Sequence, residues 1–197
     1  MSASQLKELV IQSLQHEMGG VLVYETAVQC AVNPSLKQEW QKYLEQTRKH
    51  VEVTTTLCKD LGFDPKEETP GRKVVAHVGN ALVQAMKMAQ EAGDPAGAEL
   101  VACECVVLAE TKDHADWELI GRCAVDGGED TKAALKKAYD QVEDEEDEHL
   151  YHTKGWCREL WMQSLGLKAE LPPPEEVRQV KSAIGAAKAQ AESLAHR

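Results

Sequence analysis

The sequence predicts an all-α chain, and three observations carry that expectation. First, the 197 residues include a single Phe, and Ala, Leu, Glu, Lys and Gln outnumber Val, Ile and Thr. That composition favours helices over strands. Second, proline, glycine and cap residues cut the chain into pieces of helical length. Third, apolar residues within those pieces recur at alternating spacings of three and four, the signature of a helix that buries one face.

Taken in order, Ser4 is placed to cap a helix from about 5 to 31, which Asn33-Pro34 ends. Ser35 opens a second helix running to Leu61-Gly62, where the glycine suits a C-terminal cap. The polar stretch "FDPKEETPGR" is a loop. A helix from about 72 to 92 follows and stops at Gly93. Asp94-Pro95 is a cap followed by an N1 proline, which opens a helix of about 95 to 124. "DGGED" breaks it, and a long helix from about 130 to 165 ends at Gly166. "LPPPEE" then connects to a last helix of about 175 to 195. Its apolar stripe is Val177, Val180, Ile184, Ala187, Ala191 and Leu194. The expected division is a helical bundle over 1–166 and a proline-rich connector with an amphipathic helix over 167–197.

A formal charge of −11 and a pI near 5.1 argue against a binder of nucleic-acid backbones, which needs a basic footprint. No run approaches the ~18 apolar residues of a membrane span. The start "MSASQLKELV" lacks the basic-then-apolar pattern of a secretion signal. The six cysteines form no C-x-x-C pair and no zinc-finger spacing, and they read as buried fillers in a reducing compartment. A cytoplasmic protein without nucleic-acid or membrane partners is the expectation.

The helical stripes carry the chemistry. In the first helix the stripe reads Val10, Leu14, Glu17, Val21, Tyr24, Val28. In the second it reads Leu36, Trp40, Tyr43, Thr47, His50, Thr54, Leu57, Leu61. The 95–124 helix gives Leu100, Cys103, Val107, Glu110, His114, Trp117, Gly121, and the next gives Leu135, Tyr139, Val142, Glu146, His149, Thr153, Trp156, Leu160. Each stripe is interrupted near its middle by Glu, His or both. Glu146 and His149 form Glu-x-x-His on one face. Asp113 lies one step from its stripe and competes with His114. Pooled, Glu17, His50, Glu110, Asp113, His114, Glu146 and His149 offer the oxygen and nitrogen donors that suit iron, manganese or zinc. Buried carboxylates are costly unless paired, and a cation would resolve their mutual repulsion. The rest of the acidic run 143–148 falls mostly off the stripe, toward water.

With these residues in view, the chain resembles the ferritin-like superfamily, and within it the YciE/YciF type of stress-associated bacterial proteins. The resemblance covers roughly residues 5 to 160. It rests on "NPSLKQEWQKYLEQTRKHVEV", "DLGFDPKEETPGRK", "GDPAGAELVACECVVLAETKDHADW" and "DEEDEHL" in that order. It implies a four-helix bundle with a long, helix-containing crossover between bundle helices two and three. It also implies homodimers and a dinuclear metal site; the leading expectation for this chain is one or two iron or manganese ions, serving oxidase or peroxide chemistry. Glu17, Glu110 and the Glu146/His149 pair match the family's ligands. The second helix departs: where the family has Glu-x-x-His, this chain has Thr47-x-x-His50. A metal-free bundle acting as a structural or interaction protein is the alternative expectation.

Overall fold

The computed structural model describes residues 2–168. Five helices and no strand occur among the described residues: α1 (Ala3–Cys30), α2 (Pro34–Asp60), α3 (Pro70–Glu91), α4 (Pro95–Asp126) and α5 (Glu129–Ser164). The expected C-terminal helix over about 175–195 lies outside the described residues.

Caps explain the boundaries. Ser2, rather than Ser4, receives the Gln5 amide at the start of α1. Asn33 accepts from Ser35 and Leu36, which lets Pro34 stand inside the first turn of α2. The same pairing of cap and following proline recurs at Thr69-Pro70 and Asp94-Pro95. At the far end of α2, Gly62 takes φ 73°, and the Phe63 amide closes back on the Cys58 carbonyl at 2.8 Å. A left-handed residue of this kind satisfies carbonyls that the last turn leaves open.

The four long helices α1, α2, α4 and α5 pack in a ring, and α3 lies outside against α1 and α4. Pairwise contacts fix the directions. The end of α1 meets the start of α4, where Glu99 accepts from the amides of Val32 and Asn33 at 2.7 and 2.5 Å. Helices α2 and α5 run antiparallel, with Glu39 opposite Trp156, His50 opposite Glu145 and Asp60 opposite Lys137. Helix α3 returns parallel to α1, tied by Arg72 to Gln15 at 3.0 Å. A Cβ added at Gly79 would lie 3.6 Å from the Gly19 Cα, so the two helices approach closely there.

The core has two apolar halves. One gathers Val23, Tyr24, Leu36, Trp40, Tyr43, Met86 and Val106, and the other Leu6, Val10, Leu14, Leu57, Trp117, Ile120, Leu135 and Val142. Between them sits a buried polar layer. No described helix is long and apolar enough to cross a membrane.

Candidate metal centre

The middle of the ring collects Glu17 from α1, His50 from α2, Glu110 and Asp113 from α4, and Glu146 and His149 from α5. All six are buried, between 0 and 4 % exposed. Hydrophobic neighbours on both sides force this: each residue sits on the stripe that packs its helix into the ring.

His50 Nδ1 lies 2.8 Å from Glu146 Oε1 and 3.7 Å from Glu17 Oε2. His149 Nδ1 lies 3.4 Å from the same Glu146 oxygen and 3.6 Å from Glu110 Oε2. Two groups of donor atoms close to within 4.8 Å of one another: His50, Glu146 and His149, and Glu17, Asp113 and Glu146. Glu146 belongs to both.

These inward atoms face one another, and with the imidazole protonated the 2.8 Å approach of His50 Nδ1 to Glu146 Oε1 is a charge-assisted hydrogen bond. Glu17 Oε2, His50 Nδ1, Glu110 Oε2, Asp113 Oδ1, both Glu146 oxygens and His149 Nδ1 are buried and find no hydrogen-bond partner outside the cluster. Buried polar atoms are ordinarily satisfied, so a convergence of this kind needs a physical cause. The outward atoms of the same side chains are held. His50 Nε2 lies 2.8 Å from Glu145 Oε2, and His149 Nε2 lies 3.1 Å from Gln46 Oε1. Trp117 Nε1 donates to Glu17 Oε1 at 2.9 Å. Glu145 and Gln46 are acceptors, so each neutral imidazole would carry its proton on Nε2 and aim the Nδ1 lone pair inward. That is how metal-bound histidines are oriented.

Electrostatics reflect the crowding. Burial, and then the charge of Glu146, push Glu17 up to about 8. Burial and the same charge raise Glu110, and burial with Glu17 and Glu146 raises Asp113 well above the usual carboxylate range. Burial opposes the ionised form of Glu146, yet His149 and His50 hold it below its ordinary value. Burial likewise opposes protonation of the two imidazoles, but the surrounding carboxylates raise His50 to about 10 and His149 to about 9. Without a cation, then, this layer retains protons.

Of the residues singled out in the sequence, His114 is the one the structure places elsewhere. It faces α5 from the side, with Nδ1 3.2 Å from Asp147 Oδ1. Asp113 takes the inward place. One residue is 100° of helical rotation, and the inward face of α4 follows Glu99, Cys103, Val106, Glu110, Asp113 and Trp117. Asp147 also departs from expectation: it is 6 % exposed, turned to α4 instead of to water. Tyr24 and Tyr43 wall the cluster, their ring centroids 5.9 and 4.3 Å from that of His149. The orienting roles of Glu145 and Gln46 were not read from the sequence. Their only signal there was proximity to the stripe.

No family model matches the chain, and neither a curated protein nor a solved structure matches it.

Proposed function

We propose that this chain is a ferritin-like metal-binding protein whose carboxylate–histidine layer holds iron or manganese. One observation carries the reading: buried donor atoms on four helices converge on one another with no partner outside the cluster, while the far sides of His50, His149 and Glu17 are anchored. The donor set fits the ions. Carboxylate oxygen with imidazole nitrogen suits iron and manganese, and zinc as well. His50, Glu146 and His149 would hold one ion. Glu17 and Asp113, with Glu146 shared, would hold a second, and Glu110 stands beside His149.

A bound iron or manganese ion would supply one-electron chemistry toward oxygen or peroxide through an open coordination position. The chain's own residues contribute order and dryness. Glu145, Gln46 and Trp117 fix the ligands in rotation, which raises histidine basicity and limits rearrangement. Tyr24, Tyr43 and Trp40, all fully buried, exclude bulk water on one side of the cluster.

Thr47 favours the second reading, a metal-free structural bundle. It occupies the place where the family resemblance expects a carboxylate, and its hydroxyl donates to the Tyr43 carbonyl at 2.9 Å. The two readings separate in one experiment. Metal content per chain is measured after growth with iron and manganese and purification without a histidine tag. One or two equivalents, with a raised melting temperature on adding the same ion to metal-free protein, are expected. No retained metal and no thermal shift with iron, manganese or zinc would leave the metal-free bundle.

A further inference from the structure

A second cavity lies outside the polar layer, where α3 packs over the seam between α1 and α4. It measures about 380 Å³, within the range of small-molecule sites, roughly 300–1,000 Å³. Its lining runs from Gln12 to Val23 on α1 and from Val74 to Leu82 on α3. That is about three turns of one helix and two of the other, so the cavity is a slot longer than it is wide. Val23, Val75, Val78, Leu82 and Leu108 make its walls, and among the described residues no aromatic ring lines it. Val74, Val78 and Leu108 are 62, 50 and 61 % exposed, apolar surface gathered around an opening instead of scattered.

Two glycines keep the slot open. Gly19 and Gly79 lie inside helices, where glycine costs stability. Packing alone does not demand them: a Cβ at Gly19 or at Gly79 would meet the other glycine's Cα at 3.9 or 3.6 Å, an ordinary contact. Gly20 differs, since a Cβ there would come 3.2 Å from Thr47 Cγ2.

We propose that this slot binds a neutral, unbranched aliphatic molecule carrying a hydroxyl group. The two ends differ in polarity. Ala109 sits opposite His16 and α4 runs against α1, which brings Lys112 to the Gln12 end. Val23, Leu82 and Leu108 close the other end. His16 Nε2 lies 3.0 Å from the Ala109 carbonyl and carries the proton of that bond, so Nδ1 of the neutral ring is an acceptor. The Gln12 side-chain amide donates to Glu8 Oε1 at 2.8 Å, which leaves its carbonyl oxygen to accept. Lys112 is already paired with Asp116. A hydroxyl can donate to either acceptor and accept from a remaining Lys112 proton. A carboxylate would instead face two acceptors and a cation whose charge is already met, so an acid head group is disfavoured. Valine and leucine walls along the slot suit a straight chain, whose removal from water supplies the affinity. His16 and Ala109 stand between the slot and the polar layer, and the site does not depend on whether that layer holds a metal.

The test follows methyl resonances of the full-length protein during titration with decanol. Shifts confined to Val23, Val75, Val78, Leu82 and Leu108 are expected, saturating at one equivalent. Decanoate should bind roughly tenfold more weakly, because its charge finds no free partner. Gly79→Leu fills the slot and should abolish the shifts at unchanged helix content. Should that variant fold poorly, Val78→Asp, half exposed at the rim, must weaken decanol roughly tenfold. No shift up to the solubility limit, equal binding of decanoate, or shifts that persist in both variants overturns the proposal. So do shifts spread equally over the clefts at Thr56 and at Leu160, which would mean indiscriminate partition. Nuclear Overhauser contacts from Leu108 to Val177, Ile184 or Leu194 in the free protein would make the chain's own tail the occupant, and would overturn it as well.

Discussion

Glu146 is the residue on which the cluster turns. Its two oxygens face both imidazoles and both α1 and α4 carboxyls, and it belongs to each group of converging donors. Replacing it by Gln keeps the volume and removes the shared charge. Glu146→Gln is therefore expected to abolish metal retention and the metal-induced rise in melting temperature, read by metal analysis and thermal unfolding. Asp113→Asn should weaken retention at least tenfold, roughly the loss of one ligand-scale interaction, while His114→Gln leaves it unchanged. The reverse order would move the site one step around α4. That single step marks the limit of what the sequence shows at this scale. Glu17, His50, Glu110, Glu146 and His149 stood out because charge interrupts an apolar stripe there. Asp113 and His114 are both polar neighbours on a helix buried from several sides, so periodicity alone leaves about 100° undecided. Asp147 reads as solvent-facing for a related reason: five acids surround Glu146 in sequence, and which of them faces α4 depends on the neighbouring helix.

At the scale of elements, helix order and length were legible because caps and prolines are local. Asp94-Pro95 starts α4 as the sequence predicts, for reasons contained within four residues, whereas Asn33-Pro34 and Thr69-Pro70 start α2 and α3 where the sequence points to Ser35 and to a loop running on to about residue 72. What joins the elements was not legible, since it depends on distant partners. Glu99 is the clearest case. It reads as an ordinary acid near the start of α4, yet it is 6 % exposed and accepts from two amides in the turn between α1 and α2. It thereby fastens one helical pair to the other. Glu99→Ala removes both charge-assisted bonds, and the expected loss is about 2 kcal/mol, or roughly 4–8 °C in melting temperature. Asn33→Ala, which removes only the cap of α2, should cost about 1 kcal/mol. A Glu99 variant no less stable than the Asn33 variant would show that the turn is held by its cap alone.

For the whole molecule, the protons held in the polar layer link stability to pH. In the metal-free protein the surrounding carboxylates raise His50 and His149 to about 10 and about 9, from an ordinary 6.5, and burial raises Glu17 to about 8, from 4.5. The folded chain therefore binds more protons than the unfolded chain once pH passes 6.5. Stability must then fall as pH rises, because it increases with pH only where the unfolded state binds more protons. Below pH 4.5 the slope reverses, since protonating Glu145, held at about 2 by its bond to His50, and Glu146 costs the folded state more. A cation changes the alkaline side. It takes the place of those protons, so its binding strengthens as they leave and its stabilisation grows by mass action. Melting temperatures measured from pH 6.5 to 9 should decline for metal-free protein, while the rise produced by saturating manganese increases over the same interval. A flat metal-free profile would mean that the buried layer does not hold these protons. A manganese effect that does not grow with pH would mean that the ion binds somewhere other than among Glu17, His50, Glu146 and His149.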